Sequence, residues 1–234
     1  MPSNYIVNNS KMKHEVDLVF CIDATMSMDP ILDKVKDNAL NFYRDFQLAM
    51  KAKGKKVGHL RIRIVAFRDY RYDREDAMMV TNFFNLPEDE KNFEACIRSI
   101  VPSGGGDEPE DGLEALAYAI KSDWCKGQFK KRHVIVLWSD EGTHELGFGN
   151  TVPNYPKGMP KDFNELTEWW GSRRRAGIMD ESAKRLLLFA PDKPGWNTIR
   201  DNWNNVIHVV TDETDTGLSK VEYNEILEII CNSI

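Results

Sequence analysis

The chain has 234 residues, of which 41% are hydrophobic, a content slightly below the average of globular proteins but well above that of disordered chains. Its 37 acidic and 31 basic side chains give a net charge of −6, which predicts neither a nucleic-acid-binding surface nor a membrane-binding one. No run of about 18 apolar residues occurs, and the first residues lack the apolar stretch of a secretory signal. Four scattered cysteines without a CxxC pair argue against a disulfide framework and against a zinc site. We therefore expect a cytoplasmic protein.

Six short, largely apolar segments predict β-strands, and the segments between most of them have the apolar spacing of amphipathic helices. The predicted strands are residues 15–23, 59–69, 77–84, 133–140, 185–191 and 205–212, and the predicted helices are residues 30–50, 88–100, 108–123, 162–174, 196–203 and 221–234. Only the second and third strands are joined without a helix, through residues 70–76, which predicts a hairpin.

This order of elements predicts an α/β fold: a doubly wound, mostly parallel six-stranded sheet with one antiparallel edge strand and helices on both faces. Near-continuous apolar runs are typical of strands that are covered on both faces. We expect residues 1–14 to form an N-terminal extension and residues 15–234 to form a single domain.

Carboxylates and hydroxyls follow the predicted strands at the edge of the sheet where ligands bind in such folds. The first strand ends in "DATMS", the fourth in "WSDEG", and the acidic segment "SGGGDEPEDG" precedes the helix before the fourth strand. Each motif alone also fits an ordinary turn or helix cap. Together they gather oxygen ligands without a nearby histidine or cysteine, and crowded carboxylates need a proton or a cation to offset their repulsion. Such ligands select hard cations, which predicts a Mg²⁺ or Mn²⁺ site.

With these residues, nearly the whole chain resembles a von Willebrand factor A (vWA) domain. That family's metal-ion-dependent adhesion site uses a DxSxS loop after the first strand, a threonine in a second loop and an aspartate after the fourth strand. "DATMS" resembles the first loop, with threonine in place of the first serine, while an aspartate follows "SGGG" where many members carry threonine. The resemblance implies five metal ligands: Asp23, Thr25, Ser27, Asp107 and Asp140.

The segment "GGGDEPED" resembles a variant found in intracellular vWA domains, including those of kinase-like proteins, which implies an intracellular, bacterial-type branch rather than an adhesin. The implied function is that of an adaptor in a signalling or stress-response system. Its ion offers an open coordination position to an Asp or Glu of a protein partner, such as a kinase, phosphatase or ATPase. Residues around the ion, at the rim or orienting its water molecules, are expected to be Asp69, Tyr70, Glu108 and Glu141. The long loop 143–162 is expected to overhang the site.

Two alternatives stay open. A metal-dependent phosphoryl-transfer enzyme also places aspartates after its first strand, but the haloacid-dehalogenase motif DxDx[TV] requires an aspartate where Thr25 stands. Glycine motifs for nucleotides and a GxSxG nucleophile motif are absent from the sequence, so we expect no enzymatic activity.

The second alternative is a vWA scaffold with a vestigial metal site. It would bind partners through a surface of residue types that dominate interfaces: Trp169, Trp170, Arg173 and Arg174. The ordinary interpretation of this segment is one core tryptophan beside solvated arginines.

Overall fold

The computed structural model describes residues 13–106, 109–127, 130–211 and 223–234. One sheet contains seven strands: β1 (Lys13–Asp23), β2 (Lys56–Phe67), β3 (Met78–Val80), β4 (Phe84–Leu86), β5 (Lys130–Trp138), β6 (Lys184–Pro191) and β7 (Val206–Thr211). The strand order is β3-β2-β1-β5-β6-β7, with β4 also paired to β2. Neighbouring strands among β1, β2, β5, β6 and β7 run parallel, whereas β3 and β4 run antiparallel to β2.

The described helices are α1 (Asp29–Ala52), α2 (Tyr70–Asp73), α3 (Glu90–Ser99), α4 (Gly112–Ile120), α5 (Phe163–Trp170), α6 (Trp196–Asn202) and α7 (Tyr223–Ser233). Side chains of α1, α3 and α7 share one buried apolar cluster with one face of the sheet. Side chains of α4, α5 and α6 share a second cluster with the opposite face. The predicted α/β fold with helices on both faces is thus confirmed. Within the described ranges, no helix has the length and apolar content that crossing a membrane requires.

β1 lies at the centre of the sheet, and its side chains alternate between the two cores. Leu18, Phe20 and Ile22 belong to the α1 side, while Val19 and Cys21 belong to the α4 side. Because both faces are covered, every residue from Val16 to Asp23 is buried, and all of these except Asp17 and Asp23 are apolar. This packing fixes the strand in place up to Asp23, where the polar turn begins.

The predicted third strand, residues 77–84, is in fact split, so the sheet has seven strands and two short antiparallel ones instead of six and one. Val80 pairs with Val65, yet Phe84 pairs with Ile62. The chain therefore advances four residues from Val80 to Phe84 while β2 advances only three between their partners. An extra residue of this kind interrupts the hydrogen-bond ladder between the strands.

The predicted hairpin connection, residues 70–76, contains the single helical turn α2 followed by a 3-10 turn. The Asp69 side chain caps α2 by accepting from the backbone N–H groups of Arg71 and Tyr72. β1 begins at Lys13, and residues 1–12 of the predicted extension lie outside the described residues. The division into residues 1–14 and 15–234 stays a prediction.

Candidate metal centre

The "DATMS" turn after β1 gathers its oxygens around the buried carboxylate of Asp23. Asp23 Oδ1 accepts hydrogen bonds from Thr25 Oγ1 at 2.6 Å and from Thr25 N at 3.1 Å. Ser139 Oγ, at the end of β5, donates to Asp23 Oδ2 at 2.8 Å. Ser27 Oγ lies 3.1 Å from Thr25 Oγ1, and Ser27 itself is exposed. The turn thus carries a row of oxygens from a buried anchor to the surface.

Asp140 follows Ser139 at the same edge of the sheet and is half-buried. Burial raises the pKa of Asp23 to about 7, and the neighbouring charge of Asp140 is the next largest cause. Asp23 and Asp140 are therefore close enough to repel each other, as expected of two carboxylates that share a cation. Glu141, predicted near the ion, instead forms an ion pair with Lys193.

The glycine run after α3 packs directly against the "DATMS" turn. Gly104 and Gly105 have φ of +70° and +72°, a left-handed conformation that glycine adopts without a steric cost. A Cβ on Gly105 would lie 2.9 Å from Glu110 Oε1 and 3.1 Å from Thr25 Cβ. Between the two loops lies a cleft of about 340 Å³, lined by Thr25, Met26, Ser27, the three glycines 104–106 and Glu110.

Glu110 is the acidic residue of the second loop that the structure brings to this cleft. Its side chain is only 3% exposed, and no part of the chain that the structure describes gives Oε2 a hydrogen bond. Burial raises the pKa of Glu110 to about 9, with Asp23 the next largest cause. The predicted ligand Asp107 and its neighbour Glu108 lie outside the described residues.

The sequence placed Glu110 and Ser139 at this edge of the sheet, within "SGGGDEPEDG" and "WSDEG", but neither was predicted to be a ligand. Glu110 comes close because the left-handed glycines turn the chain back towards β1, and this geometry has only the glycine run as its sequence signal. Ser139 stands directly before Asp140 at the end of an apolar run, which is how the sequence places it here. Its hydroxyl orients the carboxylate of Asp23, a supporting role of the kind that fixes metal ligands.

Asp69 and Tyr70 lie at the end of β2, and both are buried, with Tyr70 only 3% exposed. Asp69 Oδ2 lies 2.9 Å from His144 Nε2. The Tyr70 ring packs edge-on against Tyr155, with ring centres 5.2 Å apart. These residues therefore support the loops from inside and do not form the exposed rim that the sequence predicted for Tyr70.

The loops around the cleft are held together by Arg68. Its guanidinium donates to the carbonyls of Ala24, Asp76 and Val101 at 2.6–2.9 Å. Asp73 adds a second link, because its Oδ2 accepts from Gly105 N at 3.1 Å. The carboxyl end of β2 thus positions both the "DATMS" turn and the glycine run.

The predicted tryptophan-arginine surface is only partly a surface. Trp170 is fully buried, stacks on Trp203 at 5.0 Å between ring centres and donates from its indole N–H to Asn204 O. Trp170 is thus a core residue and is not available to a partner. Trp169 is partly exposed beside the Lys121 ammonium, and Arg173 and Arg174 are exposed.

The donors around the cleft fit a hard divalent cation. Carboxylate and hydroxyl oxygens of Asp23, Thr25, Ser27 and Glu110 face one region, with Asp140 near Asp23. The buried Glu110 oxygen lacks a hydrogen bond from the described residues, and an acidic, oxygen-only set is what Mg²⁺ or Mn²⁺ prefers.

Residues 17–129 match the family model of the von Willebrand factor A domain. This region contains β1, the "DATMS" turn, the glycine run and α4. Over this stretch, which is just under half of the chain, the sequence resembles a vWA domain. The fold of the chain is similar to that of the pilus adhesin SpaC from Lactobacillus rhamnosus GG, with a TM-score of 0.52 and 11% sequence identity. The superposition covers 94% of this chain and 31% of the SpaC chain. A SpaC structure in an open conformation gives a TM-score of 0.52 and 12% identity.

The chain is also similar to the alpha-protein kinase vwkA from Dictyostelium discoideum. The two are 25% identical over 146 residues, which are 62% of this chain and 21% of the relative. The chain therefore spans about a fifth of the length of this curated relative. vWA domains are in general protein-interaction modules.

Proposed function

We propose that this vWA domain is an adaptor module in which a Mg²⁺ or Mn²⁺ ion at the "DATMS" turn offers a coordination position to an acidic group of a protein partner. The observation that carries the proposal is the oxygen-lined cleft between the "DATMS" turn and the glycine run. The cleft is open on one side, where Ser27 and Met26 are exposed.

In this proposal Asp23, Thr25, Ser27 and Asp140 hold the ion directly or through water, and Glu110 contributes a further carboxylate. Asp107 remains a proposed ligand. When bound, Mg²⁺ keeps several water molecules, and a partner's carboxylate can replace one of them. Ser139 keeps the Asp23 carboxylate oriented, and the buried Thr25 hydroxyl holds the other Asp23 oxygen. Met26, 57% exposed at the mouth of the cleft, supplies apolar contact beside the acidic group.

The partner that we propose is a protein presenting Asp or Glu, and a kinase, phosphatase or ATPase is the class we favour. Support comes from the name of the relative vwkA, an alpha-protein kinase that contains the similar region. Its kinase activity does not transfer to this chain, because the similar region is only 21% of that protein. The absence of enzymatic activity, the bacterial-type branch and the cytoplasmic location stay predictions.

Calorimetric titration of Mg²⁺ and Mn²⁺ into metal-stripped protein tests the ion site. We expect saturable binding in the wild type and in Asp33→Asn, which removes an exposed carboxylate of α1. Binding should be lost in Asp23→Ala and in Asp140→Asn. Wild-type affinity in both of these variants, or no binding by the folded wild type, would overturn the proposal.

Water-proton relaxation of the Mn²⁺-loaded protein tests the open coordination position. Bound Mn²⁺ relaxes water protons strongly while it exchanges its own water molecules. A glutamate-rich peptide should displace such water and lower the relaxation, whereas the matched glutamine peptide should not. Equal effects of the two peptides would show that the ion does not recognise acidic groups.

A further inference from the structure

A second group of metal-ligand side chains lies where the end of β2, the start of α4 and the loop after β5 meet. It consists of Asp69, Asp111 and His144, whose ligand atoms all lie within 4.8 Å of one another. The side chains of Asp69 and Asp111 are completely buried, and His144 is 7% exposed. The sequence did not predict this group, because its members are far apart along the chain and no short motif joins them.

The spacing of the group suits a metal ion. His144 Nε2 and Asp69 Oδ2 are 2.9 Å apart. Zinc binds imidazole nitrogen and carboxylate oxygen at about 2.0–2.2 Å in a tetrahedral arrangement, so two such ligand atoms stand about 3.4 Å apart. An ion could therefore take the place of the proton between them if the two ligand atoms moved apart by about 0.5 Å.

Two buried carboxylate oxygens beside this pair lack hydrogen bonds from the described parts of the chain: Asp111 Oδ1 and Glu114 Oε2. The other oxygen of Asp111 accepts from Tyr70 N at 2.7 Å. The other oxygen of Glu114 accepts from Gly147 N and from the Tyr155 hydroxyl, both at 2.8 Å. Both residues are completely buried, and an unsatisfied buried carboxylate oxygen is costly. These two oxygens indicate a ligand that the polypeptide itself does not supply.

The neighbouring arginines make their contacts elsewhere. Arg68 donates to three backbone carbonyls around the first cleft. Arg71 stacks on the Phe148 ring at 3.6 Å and donates to Phe148 O. Three carboxylates thus surround one imidazole, which leaves negative charge for a divalent cation to offset.

We propose that Asp69, Asp111 and His144, with Glu114 beside them, form a second metal site that takes a transition-metal dication of the zinc class. The imidazole gives this site a different ion preference from the first site, because nitrogen ligands favour zinc-like ions whereas oxygen-only sets favour Mg²⁺. Bound there, the ion would link β2, α4 and the loop after Asp140. This link would also support Glu110 of the first cleft, because the Glu110 carbonyl accepts hydrogen bonds from His144 N and Thr143 Oγ1.

The described residues contain one other group with suitable ligands: Asp17, Cys125 and His133. There, however, Arg61 already forms two hydrogen bonds with Asp17, at 2.7 and 2.8 Å, and Cys125 N donates to the same carboxylate. A cation at this place would have to displace Arg61. This group therefore serves as the control.

Zinc titration of the full chain, stripped of metal and then kept in excess Mg²⁺, tests the proposal. We expect one tightly bound Zn²⁺ per wild-type chain and binding weakened at least about 100-fold in His144→Gln and in Asp111→Asn. Cys125→Ser should bind zinc as the wild type does. Asp23→Ala should lose Mg²⁺ and keep Zn²⁺, so that failure of one site is distinguishable from failure of the other.

Cobalt loading of the wild type gives a second measurement that does not depend on the variants folding. Co²⁺ bound by Asp69, Asp111 and His144 has no sulfur ligand, so the thiolate-to-metal charge-transfer band should be absent while the visible bands of bound cobalt appear. A charge-transfer band that disappears in Cys125→Ser would place the ion at the control group. That result, or the lack of stoichiometric zinc binding by folded wild-type protein, would overturn the proposal.

Discussion

Glu110 is a buried carboxylate close to Asp23, and like charges this close repel each other unless a proton or a cation intervenes. Glu110→Gln keeps the shape of the side chain and removes its charge. We expect the variant to bind Mg²⁺ about tenfold more weakly, yet to melt at a higher temperature than the wild type when both are held in EDTA. Calorimetry and a thermal melt measure the two effects.

Asp33→Asn is the matched control for Glu110→Gln, because it removes one exposed carboxylate that does not line the cleft. It should change neither the Mg²⁺ affinity nor the melting temperature in EDTA appreciably. If Glu110→Gln melts lower than the wild type in EDTA, the carboxylate makes stabilising contacts and the repulsion argument is wrong.

Trp169 and Trp170 are adjacent in the chain but differ in what they contribute to stability. Trp170 is fully buried against Trp203, so Trp170→Ala should lower the free energy of unfolding by about 3–5 kcal/mol. Trp169 is partly exposed beside Lys121, 4.5 Å from the ring centre, so Trp169→Ala should cost about 1 kcal/mol. Urea titrations measure both free energies, provided that the dependence of the unfolding free energy on urea concentration has the same slope in the variants as in the wild type. Equal losses would mean that the two rings share one environment.

Single residues differ in how far a sequence reveals them. Asp23, Thr25 and Ser27 are two positions apart, so their proximity follows from local chain geometry alone. Glu110 and His144 reach their sites through loop conformations and topology, which no short pattern encodes. Trp170 was ambiguous because a helix places adjacent residues on different faces, and the sequence alone did not indicate which of the two faces the core.

Among the elements, the glycine run depends most on backbone conformation. Gly105→Ala would add a Cβ at φ +72°, 2.9 Å from Glu110 Oε1 and 3.1 Å from Thr25 Cβ. We expect Mg²⁺ binding to weaken at least about tenfold, because the loop must move away from the turn.

Gly54→Ala is the matched control: its φ of +68° is similar, but nothing lies within 4 Å of the new Cβ. It should cost about 1 kcal/mol of stability and leave Mg²⁺ affinity unchanged. Equal Mg²⁺ affinities in the two variants would show that the glycine run does not help to form the metal site.

The strands and helices of six or more residues were predictable, and the elements of three or four residues were not. β1, β5 and β6 are buried on both faces over most of their length, as β2 is from Ile64 onwards, so they appear in the sequence as apolar runs. β3 and β4 have three residues each, too few for an alternating pattern to show, and a one-residue register change separates them. α2 is a single turn capped by Asp69, and its sequence "YRYD" has no apolar period.

Over the whole molecule, charge is distributed unevenly between the two ends of the sheet. The amino end carries Lys55, Arg132 and Arg185 around one cavity, whereas the carboxyl end gathers Asp23, Glu110 and their acidic neighbours. The net charge of −6 does not reveal this separation. An ion at the carboxyl end would neutralise repulsion that the distant lysine and arginines cannot offset, since salt screens charges beyond about 8–10 Å.

Folding and ion binding should therefore be coupled in the whole chain. A ligand that binds only the folded state stabilises it by about 2.7 kcal/mol at a concentration 100 times its Kd. For a chain of this size that gain corresponds to a rise in melting temperature of roughly 5–10 °C. We expect this rise when Mg²⁺ is added to metal-stripped wild type and to Asp33→Asn, and no rise in Asp140→Asn. Because the stabilisation depends on the ratio of Mg²⁺ concentration to Kd, the melting temperature should keep rising with the logarithm of the Mg²⁺ concentration and should not reach a plateau. A melting temperature that is independent of Mg²⁺ in the wild type would mean that the carboxylates are neutralised by protons alone.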